Sequence, residues 1–246
     1  MSTVRASAPS ASIFPGATTI QPEGVTPKPD RRYTTEFRYT DRDGKARYVA
    51  IKYAPLLTGS VLDVGCDRAR LRTHLSDAVR YTGVDRSRDG GADVAVDLDR
   101  DELPFEPASF DTVLCTDVLE HLERCHDVFD QLCRAARRHV IVSLPNPLRN
   151  MLESLVVGRA AVKYYGLPVE APGDRHRWFF GFEDAVRFVS ERGRRAGFSV
   201  EQLDFEHQAQ LSWPAPAGAD IFAHPSVRPG TMWCVLRRDP GPGESR

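Results

Sequence analysis

The sequence lacks a strong net charge, a long apolar run and a paired pattern of cysteines. Its 33 basic and 34 acidic residues give a formal net charge of −1, so bulk charge predicts neither a nucleic-acid nor a membrane partner. No apolar run reaches the roughly 20 residues that span a bilayer, and the first residues do not form a basic-then-apolar signal pattern. The five cysteines have no metal-type spacing and predict reduced, mostly buried thiols in a cytoplasmic protein.

The glycine-rich pyrophosphate loop of dinucleotide-binding folds, G-x-G-x-x-G, is also missing. An apolar strand over residues 61–65 ends at Gly65, but Asp67 and Arg70 stand where the second and third glycines are expected. The carboxylate of Asp67 would repel a pyrophosphate, whereas it suits a cofactor that carries an ammonium and a sulfonium. About twenty residues later a second strand ends at Asp85, which is placed to accept hydrogen bonds from ribose hydroxyls. This βαβ pattern favours a nucleoside cofactor without phosphate, such as S-adenosylmethionine.

Strands and helices alternate over most of the remaining chain, which predicts a parallel sheet with right-handed crossovers. Short apolar runs predict strands at 61–65, 81–85, 93–97, 110–115 and 139–144. Apolar residues at helical spacing predict helices at 68–78, after His126, and near 182–196. The last two strands, 198–205 and 231–238, are expected to form an antiparallel hairpin at the sheet edge. The prediction is a Rossmann-like, doubly wound α/β fold with a mostly parallel, seven-stranded sheet.

Composition divides the chain into one folded domain and two tails. Residues 1–30 are rich in Ser, Thr, Ala and Pro, and we expect them to be disordered, as are residues 241–246. Residues 31–240 form the predicted domain, with an insertion over 148–181 that would act as a lid on the acceptor side. Between Tyr33 and Leu57, aromatic and charged residues interleave. This segment is either a helical cover over the cofactor or, as we favour, a helix packed on the sheet.

Two further motifs carry a resemblance to a known family. Residues 109–113 read S-F-D-T-V, and residues 119–121 read L-E-H. With the strand ends described above, they stand in the order and spacing found in class I S-adenosylmethionine-dependent methyltransferases, which the chain resembles over roughly 55–205. The first motif departs from the usual G-C-G-x-G of that family, since the chain has Asp67 and Ala69 in place of two glycines.

The resemblance implies that the strand ends hold the cofactor. Asp63 and the turn at Gly65 would hold the methionine part, Asp85 the ribose, and Asp97 with Leu98 the adenine. Asp97 has an alternative as a turn residue, and Cys66 fits a packing role better than a nucleophilic one. The implied cofactor residues are Asp63, Gly65, Cys66, Asp67, Asp85, Arg86, Asp97, Leu98, Thr116 and Asp117.

Two histidines are candidate catalytic residues. His121 ends the L-E-H motif, and a structural hydrogen bond is its alternative role. His176 lies in the segment 174–180, where the resemblance places the acceptor pocket, and a structural hinge is its alternative. In this segment Arg175 and Arg177 would suit an acidic or phosphorylated acceptor, and Trp178 would anchor the loop by burial.

The remaining expectations concern the acceptor, metals and the reaction. Tyr165 belongs to the predicted lid over 151–172 and is the third candidate substrate-binding residue. The acids and histidines show no ligand spacing such as H-x-x-x-H, so no metal requirement is expected. The leading hypothesis is S-adenosylmethionine-dependent methyl transfer to a small molecule. A non-catalytic S-adenosylmethionine-binding protein and a nucleotide-sugar or NAD-binding oxidoreductase are the alternatives.

Overall fold

The computed structural model describes residues 39, 41–156, 164–205, 226–227 and 230–241. Its strands are β1 (Ser60–Val64), β2 (Arg80–Asp85), β3 (Val94–Ala95), β4 (Phe110–Thr116), β5 (Ala136–Leu144), β6 (Phe198–Phe205) and β7 (Met232–Arg238). Its α-helices are α1 (Arg42–Lys52), α2 (Cys125–Ala135), α3 (Pro147–Val156) and α4 (Phe182–Arg195), with short 3-10 helices at Arg70–His74 and Leu119–His121. Residues 1–30 and 242–246, which belong to the predicted tails, lie outside the described residues.

The seven strands form one sheet in the order β3-β2-β1-β4-β5-β7-β6. All pairs from β3 to β5 are parallel, whereas β7 runs antiparallel to both β5 and β6. The predicted fold class, including the antiparallel edge hairpin, is confirmed. The strand order reverses between β1 and β4, and open α/β sheets bind ligands beyond the carboxyl ends of the strands at such a point.

The core lies on both faces of the sheet. On one face, α2 and α4 pack against alternate residues of the central strands, with Phe129 and Val189 fully buried. On the other face, α1 packs through Tyr48 and Tyr53 against the buried indole of Trp233 on β7. Strand β1 is buried along its whole length because both of its faces are covered.

Helix α1 packs on the sheet, as we favoured, and its first turns also reach the ligand-binding edge. Its role as a cover over the cofactor stays a prediction. Asp41 caps the helix by accepting a hydrogen bond of 2.7 Å from the backbone N–H of Gly44. Lys52, at its last turn, forms a buried ion pair of 2.9 Å with Asp204 on β6. The helix is therefore fixed to the sheet at one end, while its first turns are free to form a wall of the site.

One local prediction was wrong. The helix expected over 68–78 is only the 3-10 turn Arg70–His74, because Ala69 before it is left-handed and Leu75 after it is extended. Helix α3 lies at the start of the insertion over 148–181, whose role as a lid stays a prediction. Pro147 fits its first turn, since the missing N–H of proline costs nothing there.

Candidate functional site

A cavity of about 370 Å³ opens beyond the carboxyl ends of β1 and β4. That volume lies within the roughly 300–1,000 Å³ typical of small-molecule sites. Its walls come from the first turns of α1, the turn after β1, the segment after β4 and the segment 164–176. The cavity brings together these predicted site residues: Asp63, Gly65, Cys66, Asp67, Thr116, Asp117, His121 and His176.

The turn after β1 has a left-handed backbone at three positions, and only one of them is a glycine. Gly65 has φ +78°, and a side chain there would collide with Val118. Asp67 and Ala69 have φ values of 51° and 50°, in the left-handed region that glycine adopts without strain. These are the two positions where the sequence departs from G-C-G-x-G. The departure therefore leaves two non-glycine residues in left-handed conformations within this turn.

Asp67 is neutralised by two arginines. Arg42 on α1 lies 3.1 Å from its carboxylate, and Arg70 also pairs with it. Partial burial raises the pKa of Asp67, but hydrogen bonds from Arg42 and Arg70 outweigh this, so the pKa lies below its ordinary value. From the sequence, Asp67 is an isolated negative charge, whereas in the structure two guanidinium groups neutralise it.

Asp63 is the buried acid of the cavity. It is 7% exposed, and Tyr81 Oη donates a hydrogen bond of 2.6 Å to its Oδ2. Burial raises the pKa of Asp63 to about 6, against the opposing effects of the Tyr81 hydrogen bond and of Lys45. A carboxylate in this position suits a cationic ligand group such as the ammonium of a methionine moiety.

Asp85 organises the turn that faces it. Its Oδ2 accepts a hydrogen bond of 2.8 Å from the Asp67 N–H, and its Oδ1 accepts one of 2.7 Å from the Arg86 N–H. Neither Asp85 nor Arg86 is among the described residues that line the cavity. Each carboxylate oxygen keeps a further lone pair for a ribose hydroxyl.

The predicted adenine residues lie in a tight loop. Asp97 accepts a hydrogen bond of 3.2 Å from the Asp99 N–H, as a turn residue does. Leu98 is buried in the core. Neither belongs to the described lining of the cavity, so their adenine role remains a prediction.

Asp117 fixes the position of the segment that follows β4 through contacts of both its carboxylate oxygens. Lys45 on α1 lies 2.6 Å from its Oδ2, and Ser143 Oγ donates a hydrogen bond of 2.5 Å to its Oδ1. Burial raises the pKa of Asp117, but Lys45 and the Ser143 hydrogen bond outweigh this and leave it below the ordinary value. The carboxylate is thus fully engaged, and it fixes the course of the chain into the L-E-H motif.

The two predicted histidines meet edge to face, with ring centroids 4.6 Å apart. His121 Nδ1 lies 2.6 Å from Asp174 Oδ1. His176 Nδ1 shares a hydrogen bond of 2.6 Å with Tyr165 Oη, and its ring stacks on Tyr164. Burial, followed by the nearby His121, lowers the pKa of His176 to about 4, so its imidazole is neutral at pH 7.

Glu120 is the site residue that sequence reasoning missed. Its side chain is 1% exposed, and among the described residues its Oε2 has no hydrogen-bond partner. Its Oε1 lies 3.7 Å from His121 Nε2, and burial raises its pKa well above the ordinary value. A glutamate directly after buried Leu119 could have drawn attention to it, because an unpaired buried carboxyl is costly.

The arginines of segment 174–180 lie outside the cavity. Arg177 pairs with Glu123 at 3.0 Å, and its backbone N–H donates to the Glu120 carbonyl at 2.7 Å. Arg175 is exposed, and Tyr165 reaches the cavity through its hydrogen bond to His176. The expected burial of Trp178 is wrong: it is 37% exposed and is held by a hydrogen bond from Nε1 to the Leu122 carbonyl.

A second, smaller cavity of about 170 Å³ lies behind Glu120. Its lining is mainly apolar and aromatic and includes Trp178, Phe179 and Phe188. Glu120 lines both cavities, so its carboxyl group stands between the polar cavity and the apolar one.

Comparisons with known proteins agree with this geometry. A sequence family described as a methyltransferase domain matches residues 35–203. No curated protein sequence matches the chain. Among solved structures, an S-adenosylmethionine-dependent methyltransferase from Archaeoglobus fulgidus is similar at TM-score 0.54 and 15% identity, over 80% of this chain and 95% of that one.

Two other solved structures show that the fold serves more than one reaction. The cyclase SpnF is similar at TM-score 0.50 and 17% identity, over 81% of this chain and 82% of its own. The small RNA methyltransferase HEN1 is similar at TM-score 0.51 and 16% identity, over 87% of this chain but only 27% of its own. Within the part of the chain that the structure describes, no helix has both the length and the apolar character that crossing a bilayer requires.

Proposed function

The chain belongs to the methyltransferase-domain family, and we propose that it transfers a methyl group from S-adenosylmethionine to a small-molecule acceptor. Family membership makes it an enzyme with S-adenosylmethionine as cofactor. This sets aside the oxidoreductase and the non-catalytic binding protein considered from the sequence. The observation that carries the acceptor proposal is one cavity with two chemically different sides.

The cofactor side consists of Asp63, Gly65, Asp67 and Asp117. S-adenosylmethionine supplies a methyl group on a sulfonium, which is already an activated leaving group. Asp63 would hold its ammonium, and the turn at Gly65 lets backbone approach without a side chain in the way. Asp85 would accept from the ribose hydroxyls while it orders the same turn. These residues fit the cofactor because they combine a buried acid with a close backbone approach.

The acceptor side consists of Glu120, His121, Tyr165 and His176. His176 Nδ1 shares a hydrogen bond with Tyr165 Oη, whereas His121 Nδ1 lies 2.6 Å from Asp174 Oδ1 without hydrogen-bond geometry. We assign Nε2 of each ring to the acceptor. Methyl transfer requires mainly that the acceptor atom be held in line with the breaking bond, a positioning effect worth several kcal/mol. His176 is poorly suited to take a proton, because burial and then the nearby His121 lower its pKa to about 4.

The second cavity points to an acceptor with an apolar or aromatic part. It adjoins Glu120 and offers the rings of Phe179 and Phe188 as contact surface. Arg175 and Arg177 do not line either cavity, so they give no support to the acidic or phosphorylated acceptor. We therefore propose a small acceptor that carries a methylatable heteroatom beside an apolar group.

Methyl transfer from labelled S-adenosylmethionine to a metabolite panel tests this proposal. The panel should include phenolic and other aromatic alcohols, sugar phosphates and short RNA oligonucleotides. Transfer to a neutral compound with an apolar group is expected, and Phe179→Ala should raise its KM several-fold with little change in kcat. Preferential transfer to RNA or to phosphorylated compounds would contradict the proposed acceptor class.

A further inference from the structure

Three side chains on the acceptor side form a potential cation-binding cluster. Glu120, His121 and His176 each offer one ligand atom, and these atoms lie within 4.8 Å of one another. A carboxylate and two imidazoles are a common ligand set for first-row transition cations, which keep open positions for a substrate. His121 and His176 lie far apart in the chain, so no short spacing in the sequence could reveal the set.

His176 is oriented as metal-binding histidines usually are, and His121 Nδ1 also lies beside an oxygen, although without hydrogen-bond geometry. Metal-bound histidine commonly donates its other ring N–H to a carboxylate or another oxygen, which fixes the ring and its tautomer. Here Asp174 Oδ1 lies 2.6 Å from His121 Nδ1, and Tyr165 Oη lies 2.6 Å from His176 Nδ1. Nε2 of each ring is therefore the nitrogen available to a cation.

Glu120 supplies an independent observation. Its side chain is 1% exposed, faces both cavities, and has a carboxylate oxygen without a hydrogen-bond partner among the described residues. Buried carboxyl oxygens in folded proteins are usually satisfied by a donor or by a metal. The neighbouring Asp117 differs, because Lys45 and Ser143 engage both of its oxygens. Asp117 is therefore not part of the cluster.

We propose that Glu120, His121 and His176 bind a divalent first-row transition cation whose open positions face the acceptor. The proposal rests on the proposed methyl transfer and narrows the methylated atom to an oxygen. A hydroxyl bound to such a cation loses its proton more readily. The acceptor oxygen then forms its bond to the methyl carbon as the sulfur–carbon bond breaks, the sulfur keeps the electron pair, and the hydroxyl proton passes to water.

The cluster must contract slightly to bind the cation. Metal–nitrogen distances of about 2.0–2.1 Å place neighbouring ligand atoms roughly 3.0–3.5 Å apart, whereas these atoms are spread over as much as 4.8 Å. A closure of about 1 Å is within reach of side-chain rotation. This arrangement revises the expectation, drawn from spacing alone, that the protein needs no metal.

Cobalt titration of the full chain tests the site without relying on turnover. Protein stripped with a chelator and then dialysed is titrated with Co²⁺, and binding is followed by visible absorption and by calorimetry. We expect one equivalent to bind with a Kd below about 10 μM. Glu120→Gln, His121→Gln and His176→Gln should each weaken binding at least about tenfold, and Asp174→Asn and Tyr165→Phe should weaken it less, since they only orient the ligands.

His139→Gln is the matched control, because His139 lies on β5 beside Glu201 and away from the cavity. S-adenosylhomocysteine affinity and the melting temperature verify that each variant is folded. No Co²⁺ binding by the wild-type protein, or binding that survives all three ligand substitutions, would overturn the proposal. Full methyl transfer by chelated protein would also overturn it while leaving the proposed function intact. Cation binding in a protein that transfers no methyl group would sustain the site and refute the proposed function.

Discussion

The two sides of the cavity hold their ionisable groups in opposite ways. On the cofactor side, Asp67 and Asp117 are matched by cations from α1 and its neighbourhood, and hydrogen bonds fix their oxygens. On the acceptor side, Glu120 and His176 are buried, and among the described residues Glu120 has His121 as its ion-pair neighbour rather than an arginine or lysine. Paired acids shape a rigid binding surface, whereas buried neutral groups retain lone pairs that can act on a ligand.

This difference implies that cofactor binding depends on one side of the cavity and methyl transfer on the other. Substitutions on the cofactor side should change affinity for S-adenosylhomocysteine and leave saturated turnover nearly unchanged. Substitutions on the acceptor side should lower saturated turnover and leave affinity for S-adenosylhomocysteine nearly unchanged. Each prediction below tests one half of that separation.

The largest effect is expected for His176→Ala. Loss of this imidazole should lower turnover by about 10²-fold or more, because it helps to position the acceptor and a misplaced acceptor costs about that much. S-adenosylhomocysteine affinity should change less than about threefold, because other strand ends build the cofactor side. Methyl transfer under single-turnover conditions and calorimetry measure the two quantities. Loss of stability combined with normal turnover of the folded fraction would instead make His176 a structural residue.

Asp85→Ala should show the opposite pattern. Loss of two hydrogen bonds to the ribose, at roughly 1.5–3 kcal/mol each for a charged acceptor, should weaken S-adenosylhomocysteine binding at least about tenfold. The Asp67 N–H also loses its partner, so we expect a modest fall in melting temperature. Asp97→Ala should be measured alongside, because a similar loss of S-adenosylhomocysteine affinity would support the proposed contact of Asp97 with adenine. If Asp85→Ala binds S-adenosylhomocysteine as tightly as wild type does, Asp85 does not contact the ribose and only orders the turn.

Asp63→Asn should remove a pH dependence of stability. The pKa of Asp63 is about 6 in the folded protein, above its ordinary value of 3.8. The folded state therefore holds the proton longer, and the free energy of unfolding falls on the order of 3 kcal/mol as pH rises from about 4 to beyond 6. The amide side chain of the variant cannot ionise, so this fall should vanish in chemical denaturation measured across that range.

Tyr81→Phe sharpens the same test. The hydrogen bond from Tyr81 lowers the pKa of Asp63. Loss of this hydrogen bond should therefore shift the fall in the free energy of unfolding to higher pH. Wild-type S-adenosylhomocysteine affinity should rise from pH 5 to 7.5 as Asp63 ionises, and Asp63→Asn should flatten that rise. An unchanged slope of stability in Asp63→Asn would show that Asp63 does not carry the dependence.

The smallest effect is expected for Ala69→Gly, which restores a family glycine. Relief of the left-handed backbone, about 1–2 kcal/mol, offsets the lost methyl group and the added chain entropy, at about 0.5–1 kcal/mol each. Stability and S-adenosylhomocysteine affinity should therefore hardly change. Ala92→Gly is the control, since Ala92 packs in the same cluster without a positive φ, and it should destabilise by roughly 1.5 kcal/mol. A large gain in affinity from Ala69→Gly would show that the methyl group obstructs the cofactor.

The cofactor side was largely predictable from the sequence because its residues follow strands directly. Apolar runs that end in Gly65 or Asp117 place those residues at one sheet edge once the strands are parallel. The conformation of the turn was harder to predict, because Asp67 and Ala69 have left-handed backbone conformations that aspartate and alanine rarely adopt. The same left-handed geometry is why a helix pattern over 68–78 gave only a short 3-10 turn.

The acceptor side was only half predictable. Both histidines were identified as chemically interesting, yet their meeting depends on a long insertion whose path no local pattern encodes. The sequence did not single out Glu120, because the L-E-H motif does not indicate whether a side chain is buried or lacks a hydrogen-bond partner. Arg175 and Arg177 were assigned to the substrate from charge alone, whereas the backbone of Arg177 bonds to Glu120 and its side chain points to Glu123.

Calorimetric titration of S-adenosylhomocysteine into wild type, His176→Ala and Asp85→Ala, with NAD as the comparison ligand, tests the separation of the two sides most directly. We expect one equivalent to bind wild type with a Kd on the order of micromolar, roughly −8 kcal/mol, and no detectable binding of NAD. His176→Ala should match wild type, and Asp85→Ala should be weaker at least about tenfold. Equal or tighter binding of NAD, or equal losses in both variants, would contradict the account.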